Sequence, residues 1–425
     1  MTEIGMEDVA TFTERVQAWV RANLPPVDPA VYEGAFRTDL SEEEEQAAVA
    51  RERAVQRMLF DAGLAGICVP REYGGQGLTP AHQQALNHAI NGHEFPVRLQ
   101  APTFTPCLAV LLEFGTEEQK RTHVPAILRG DELWMQLLSE PGGGSDVAGA
   151  LTSAVRDGDQ WVLNGSKIWT TGAWWSDWGL CLARTNWDVP KHRGLTVFML
   201  PLHQVGIDIH RIEMLNGSRE FCQEFLTDVM VPDTDRVGDV DQGWTVGVRW
   251  MFYERLLYEI PLVTFPSGLS RTFIRSSYAD LARAAGLEGD PGARELVGEA
   301  RMLDIAFEAL QGRIAQGIRT GAISDQAAAI ARLFKGVTAG RTRTIAFELA
   351  GTTGGAWTAD DGPLAERGVE YLMRQSGSIG GGTTEMARNV ISERVLGMPR
   401  ERAVDREIPF REVLRGPSSA PSPRP

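Results

Sequence analysis

Two glycine triplets stand far apart in the chain, each followed by hydroxyl and acidic side chains. The first lies in Leu137-Leu138-Ser139-Glu140-Pro141-Gly142-Gly143-Gly144-Ser145-Asp146-Val147, and the second in Gly380-Gly381-Gly382-Thr383-Thr384-Glu385. A backbone without side chains lets an anionic ligand approach N–H donors closely, and a serine hydroxyl adds one more donor, so the first run suits a pyrophosphate. A Walker or dinucleotide-fold reading fits poorly: no Gly-Lys-Ser/Thr ending follows, Val147 occupies the last glycine position of GxGxxG, and no parallel βαβ unit surrounds the run. Between the triplets, Ile168-Trp169-Thr170-Thr171-Gly172 offers an aromatic ring beside two hydroxyls, which by itself reads as packing of a β-domain. Glu254 stands among apolar and aromatic side chains in Trp250-Met251-Phe252-Tyr253-Glu254-Arg255. Apolar and aromatic neighbours would bury its carboxyl and raise its pKa, whereas a solvated Glu–Arg pair is the alternative.

Composition bounds the rest. A chain of 425 residues exceeds one ordinary core, so two or three subdomains are expected. No apolar run reaches membrane-spanning length and the first residues lack a signal-peptide pattern, so the expected location is the cytoplasm, with no membrane partner. Cys68, Cys107, Cys181 and Cys222 show no paired spacing, and the seven histidines show no ligand spacing, so no metal site is read. A net charge of −14 without a basic block disfavours nucleic acid, and requires a locally basic entrance for any anionic ester.

The elements that must hold these residues change character twice. Residues 11–131 read as helical, with Ser41 before Glu42, Glu43 and Glu44 as a helix start and the glycine-rich 69–78 as a turn. From 133 to 240 short extended segments (150–155, 161–163, 167–170, 180–184, 195–200, 207–212, 221–231) alternate with Asp157-Gly158-Asp159 and Asn164-Gly165 turns, a small antiparallel barrel or sandwich. After Gly243 helical periodicity returns, with Leu296, Ala300, Leu303, Phe307, Leu310, Ile314 and Ile318 forming one apolar stripe. A last helix is expected over 384–396, and 415–425, rich in Pro and Ser, as a disordered tail. The expected organisation is α+β: an α-helical domain 1–132, a β-domain 133–240, a helical bundle 241–410 and a tail 411–425.

In this order, and over about 64–400, these motifs resemble the flavin-binding framework of the acyl-CoA dehydrogenase superfamily. The resemblance implies FAD as cofactor, an acyl-CoA thioester as substrate, and an electron-transfer flavoprotein as electron acceptor. It places Leu138 and Ser139 at the pyrimidine edge of the flavin, Trp169 near its other rings and Thr171 toward N5. Gly144 and Ser145 fall at the pyrophosphate, and Thr383 and Glu385 at the ribityl and adenosine side. Gly381 offers its N–H to the thioester carbonyl, and Arg255 and Gly380 fall on the substrate side. The implied reaction is α,β-dehydrogenation to a trans-2-enoyl-CoA; an oxidase or flavin monooxygenase on the same scaffold, or a supporting subunit, is the alternative.

Two departures sharpen the resemblance. Many family members carry a glutamate where this chain has Gly381, and a smaller group, similar to isovaleryl-CoA dehydrogenase, carries the base on the helix that here holds Glu254. The missing side chains at Gly380 and Gly381 leave room for a branched or ring-bearing acyl group, although glycine there also has a backbone explanation. Segments that in the family reach a neighbouring subunit's FAD are absent from 271–295 and altered to Glu348-Leu349-Ala350-Gly351-Thr352-Thr353-Gly354. That pattern is similar to actinobacterial members working as mixed tetramers, some in sterol side-chain degradation, so a homo- or hetero-oligomer, dimer or tetramer, is expected.

Overall fold

The computed structural model describes residues 6–27, 41–255, 262, 278–356 and 362–413. Pro261, Pro266, most of the expected tail and the side chain of Arg255 lie outside the described residues. Contacts divide the chain into two compact units: Met1–Glu213, Ser218–Ser270 and Ala403–Pro425 in one, Met214–Gly217 and Arg271–Arg402 in the other.

The first unit begins with helices. Asp8 caps Val9–Asn23 by accepting from the backbone N–H groups of Ala10 and Thr11, and Phe12, Val16 and Val20 follow at four-residue spacing as one buried row. Ser41 opens Glu42–Asp61 as expected: its hydroxyl accepts from Glu44 N, and Glu44 accepts from Ser41 N at 2.8 Å. Glu117–Arg129 starts at the Thr116–Gln119 capping box and stops at Gly130.

The strands that follow are β1 Trp134–Leu137, β2 Ser153–Asp157, β3 Gln160–Thr171, β4 Trp178–Arg184, β5 Leu195–Pro201, β6 Ile207–Arg211, β7 Phe221–Pro232 and β8 Arg236–Val237. They form one sheet in the order β6-β7-β3-β2-β4-β5-β8, with β1 beside β4. Pairing is antiparallel except that β1 and β2 meet β4 in parallel. Alternation divides β4 and β5 between two cores. Leu180, Leu182, Leu195, Val197 and Met199 join the helical side, while Cys181, Ala183, Phe198 and Leu200 face Trp161, Leu163 and Val231. Such strands read as continuous apolar runs because both faces are covered. Trp134 and Trp178 stack at 5.3 Å, so Trp178 is a packing residue.

Helix Gly243–Arg255 belongs with this first unit, not with the helices beyond it. Val246 and Trp250 are fully buried in the core that β5 shares with the N-terminal helices. The final segment also belongs here: Phe410 lies beneath the Arg184 guanidinium, 3.8 Å from its ring centre, and stacks on Trp187.

In the second unit, Pro291–Arg319, Ala328–Gly355 and Gly362–Leu372 form the main helices. Of the apolar stripe, Ala300 and Ile314 are buried, and Phe307 stacks on Phe334 at 6.0 Å. The last helix is α-helical over Thr384–Val390 and widens into π turns over Ile391–Val395.

Candidate functional site

The first glycine triplet is an open turn on a rigid base. Gly143 N–H donates to Glu140 O at 2.9 Å, which folds the run back on itself, and Pro141 to Asp146 are all exposed. At Gly142 and Gly143 nothing lies within 4 Å of where a side chain would begin, whereas at Gly144 one would meet Ser139 Oγ at 3.3 Å. The base is electrostatic. Glu140 accepts from Lys167 Nζ at 2.8 Å and from the backbone N–H groups of Leu151 and Thr152 at 2.6 and 2.9 Å. Burial works against its ionisation, but the Lys167 ammonium and these donors outweigh it and hold the carboxyl below its ordinary value. Lys167, fully buried, also donates to Leu182 O and Leu138 O, so one ammonium fixes the strand end carrying Leu138 and Ser139. Ile168 N–H donates to Ser139 O at 3.0 Å and brings Ser139 against β3.

On β3, Trp169 is the anomaly. Inward positions run Trp161, Leu163, Lys167, so alternation alone would turn Trp169 into the core. Instead a bulge between Ile168 and Thr170 inserts one residue, Trp169 takes φ +67° with its side chain 51% exposed, and Thr170 takes the inward place. A bulky residue at positive φ is strained, and an indole turned into solvent gains little packing in return; Phe221 meets its edge at 5.9 Å. Thr171 is half-buried beside it. An outward aromatic, a neighbouring hydroxyl and an open glycine turn fit a flat ring system bearing a pyrophosphate, as FAD does. Trp174 and Trp175 are packing residues: Trp174 lies under Arg211, and Trp175 packs with Val49, Leu99 and Leu133.

Glu254 is half-buried on the last turn of Gly243–Arg255, four residues after Trp250 and eight after Val246, so it continues their inward row. The helix is anchored by Trp250 Nε1 donating to Gln136 Oε1 at 2.6 Å, and by Arg249 and Tyr253, which both bond Glu113.

Gly380, Gly381, Thr383 and Glu385 lie in the second unit. Arg332 shapes this turn by donating to Gly377 O at 3.1 Å and Gly380 O at 2.7 Å. Gly381 has φ +70°, which L side chains rarely adopt, so the backbone itself favours glycine there. Thr383 is committed locally as the N-cap of Thr384–Val390, accepting from Met386 N at 3.1 Å. Glu385 is exposed and paired with Arg388 at 3.3 Å. The second helix comes close: a side chain at Gly336 would collide with Thr384 Cγ2 at 2.6 Å.

Sequence reasoning assigned no role to Lys167, Glu224, Gln136 or Arg332. The first two carried a signal, since charged residues at inward positions of β3 and β7 break the apolar alternation. Among the described residues no His, Cys, Asp and Glu side chains group as a metal site requires, and no helix is long and apolar enough to cross a membrane.

Comparison with known proteins gives the family. The acyl-CoA dehydrogenase N-terminal domain matches residues 7–131, and the acyl-CoA dehydrogenase middle domain matches residues 136–229. Acyl-CoA dehydrogenase IpdE1 of Mycobacterium tuberculosis is 32% identical over 93% of this chain and 99% of its own. Acyl-CoA dehydrogenase FadE34 of the same organism is 33% identical over 91% of this chain and 52% of its own. Among solved structures, the Tcur3481-Tcur3483 steroid ACAD superposes with a TM-score of 0.72 at 25% identity, covering 93% of this chain and 99% of that one. The chain belongs to the acyl-CoA dehydrogenase family, FAD oxidoreductases with a helical N-terminal region, a middle β-sheet domain and C-terminal helices.

Proposed function

We propose that this acyl-CoA dehydrogenase binds FAD non-covalently and converts a branched or ring-bearing acyl-CoA to its trans-2-enoyl-CoA, with Glu254 as the base. The observation that carries the reading is Trp169, held outward at positive φ by the bulge between Ile168 and Thr170. Leu138, Ser139, Trp169 and Thr171 would hold the flavin, Gly144 and Ser145 its pyrophosphate, and Thr383 and Glu385 its ribityl and adenosine side. When bound, FAD supplies the two-electron acceptor for the hydrogen leaving the β-carbon.

The chain's own residues do the rest. A thioester carbonyl acidifies the α-hydrogen, and an N–H aimed at its oxygen acidifies it further; Gly381 keeps its N–H although it has no side chain. Glu254 accepts the α-proton on its carboxylate, and the half-buried position limits competing hydration. Arg255 is proposed on the substrate side. Gly380 and Gly381 leave space where larger side chains would crowd the acyl group, in keeping with the steroid ACAD among the similar structures.

A substrate panel tests this reading. The holoenzyme should show its highest kcat/KM on branched or sterol-derived CoA esters, and a maximum on an unbranched medium chain contradicts the pocket assignment. Transfer of electrons to an electron-transfer flavoprotein rather than rapidly to O2 separates dehydrogenase from oxidase or monooxygenase.

A second reading, a subunit of a mixed oligomer, is favoured by one observation. Gly351, in the altered 348–354 segment, breaks helix Ala328–Gly355 with φ +59° and ψ −136°. Flavin content of the chain purified alone, against co-expressed with a second dehydrogenase chain, decides: full occupancy alone argues against a required partner.

A further inference from the structure

Glu224, on β7, is fully buried and stands opposite Lys167 in the β3–β7 register. The obvious partner is not available to it. An ammonium has three protons, and those of Lys167 go to Glu140 Oε1 at 2.8 Å, Leu182 O at 2.7 Å and Leu138 O at 3.3 Å. Cys181 and Cys222 face the same space, and burial pushes both thiols up to about 12, so they carry no charge at neutral pH. Lys167 attracts its charged form but is already paired with Glu140, and Arg211, which acts on Cys222, is paired with Glu45 and Glu42.

The side-chain donor that reaches Glu224 is the Thr170 hydroxyl. Thr170 Oγ1 lies 3.0 Å from Glu224 Oε2 and 3.2 Å from Gln136 O, while Glu224 Oε1 has no hydrogen-bond partner among the described residues. A hydroxyl has a single proton. If Glu224 were ionised, that proton could serve only one of two acceptors. The other would lose its donor inside the sheet, and a negative charge would be buried with a bare oxygen. If Glu224 is a carboxylic acid, its Oε2–H donates to Thr170 Oγ1 and the Thr170 hydroxyl donates onward to Gln136 O. Protonation therefore completes the chain.

We propose that Glu224 is a positioning residue that works as a neutral carboxylic acid: through Thr170 and Gln136 it locks the bulge that turns Trp169 and Thr171 toward the flavin. The inference rests on the FAD reading given above. Gln136 extends the chain further, because its side-chain Oε1 accepts from Trp250 on the helix carrying Glu254. Desolvation pushes the Glu224 carboxyl up to about 8, outweighing the bond from Thr170, its own backbone N–H and the attraction of Lys167. Above that pH the proton leaves to solvent, Thr170 turns its hydroxyl to the carboxylate, and Gln136 O loses its donor.

The test is a pH titration of the purified holoenzyme with two readouts: the infrared carbonyl stretch of a protonated carboxyl, and the visible spectrum of the flavin. Wild type should lose a carboxylic-acid band with a midpoint near pH 8 and change its flavin spectrum with the same midpoint. Glu224→Gln, which keeps the volume and a donor toward Thr170, should lack that band and hold the low-pH flavin spectrum throughout. An identical transition in Glu224→Gln, or a wild-type flavin spectrum that ignores pH across this range, overturns the proposal while leaving the FAD reading intact. A chain that purifies without any visible flavin band instead contradicts the FAD reading itself. Should Glu224→Gln not fold, Thr170→Val replaces it: the band's midpoint must move, and an unmoved midpoint overturns the proposal.

Discussion

Trp250 Nε1 donates to Gln136 Oε1 at 2.6 Å, joining the helix of the candidate base to the strand that runs into Leu138 and Ser139. Both side chains come from elements distant in sequence, and Trp250 is fully buried. The bond makes the position of Glu254 depend on the same strand that presents the flavin edge. Trp250→Phe leaves the glutamine oxygen without its donor and should destabilise the protein by about 1–3 kcal/mol, measured by urea unfolding. It should also lower kcat more than flavin content, since Glu254 is the group set loose.

Lys167 is a fully buried cation beneath the glycine turn, and its removal has a distinct signature. Lys167→Met leaves Glu140 buried without its counter-ion and should cost about 3–5 kcal/mol of stability. Because Lys167 also holds Leu138 O, flavin retention on gel filtration should fall with it. Stability and flavin content both unchanged would show that the pair does not support the turn.

Trp169 should behave in the opposite way. Its positive φ is strained by about 1 kcal/mol or more, and half of the side chain is in solvent, so glycine loses little and relieves the strain. Trp169→Gly should therefore keep or raise the thermal midpoint of the apoprotein while weakening FAD binding. A clear loss of apoprotein stability would mean that the indole is a packing residue after all.

These contrasts mark what was legible in the sequence. The turn signal at Asp157–Asp159, the Ser41 helix start and the first glycine triplet are local chemistry, and each sits where local rules put it; Asn164–Gly165, read as a turn between two strands, instead lies inside the continuous strand β3, where the register shift against β7 makes it a bulge. Exposure of Trp169 was not readable from alternation, because a bulge reverses the face without changing any residue type. Lys167 and Glu224 interrupt apolar strands and were visible as anomalies, but their partners lie on other strands. The helix Gly243–Arg255 was grouped with the later helices by periodicity; its burial of Val246 and Trp250 against β5 and the N-terminal helices depends on tertiary contacts that periodicity does not encode. Thr383 as a helix cap follows from its place before Thr384–Val390, a signal that the flavin resemblance overshadowed.

Glu224 also predicts a pH dependence of stability. Its folded pKa, pushed up to about 8 by burial, exceeds the ordinary value of 4.5, so the native state keeps a proton that the unfolded chain releases. The unfolded state thus binds fewer protons between these values, and stability from this group falls as pH rises across that window. Below about pH 4.5 the group has no such effect. Glu224→Gln should gain in thermal midpoint over wild type progressively from pH 5 to pH 8, and a constant difference across that range would contradict the linkage.

Anaerobic reduction of the bound flavin tests the central claim most directly, with Glu254→Gln compared against wild type on one confirmed acyl-CoA substrate. Glutamine keeps the size and hydrogen-bonding capacity of the side chain but cannot accept the α-proton. The account predicts unchanged flavin content and fold, with stopped-flow bleaching of the oxidised band slowed by about 10²–10⁴-fold. Bleaching at the wild-type rate in Glu254→Gln would contradict the account and remove Glu254 as the base.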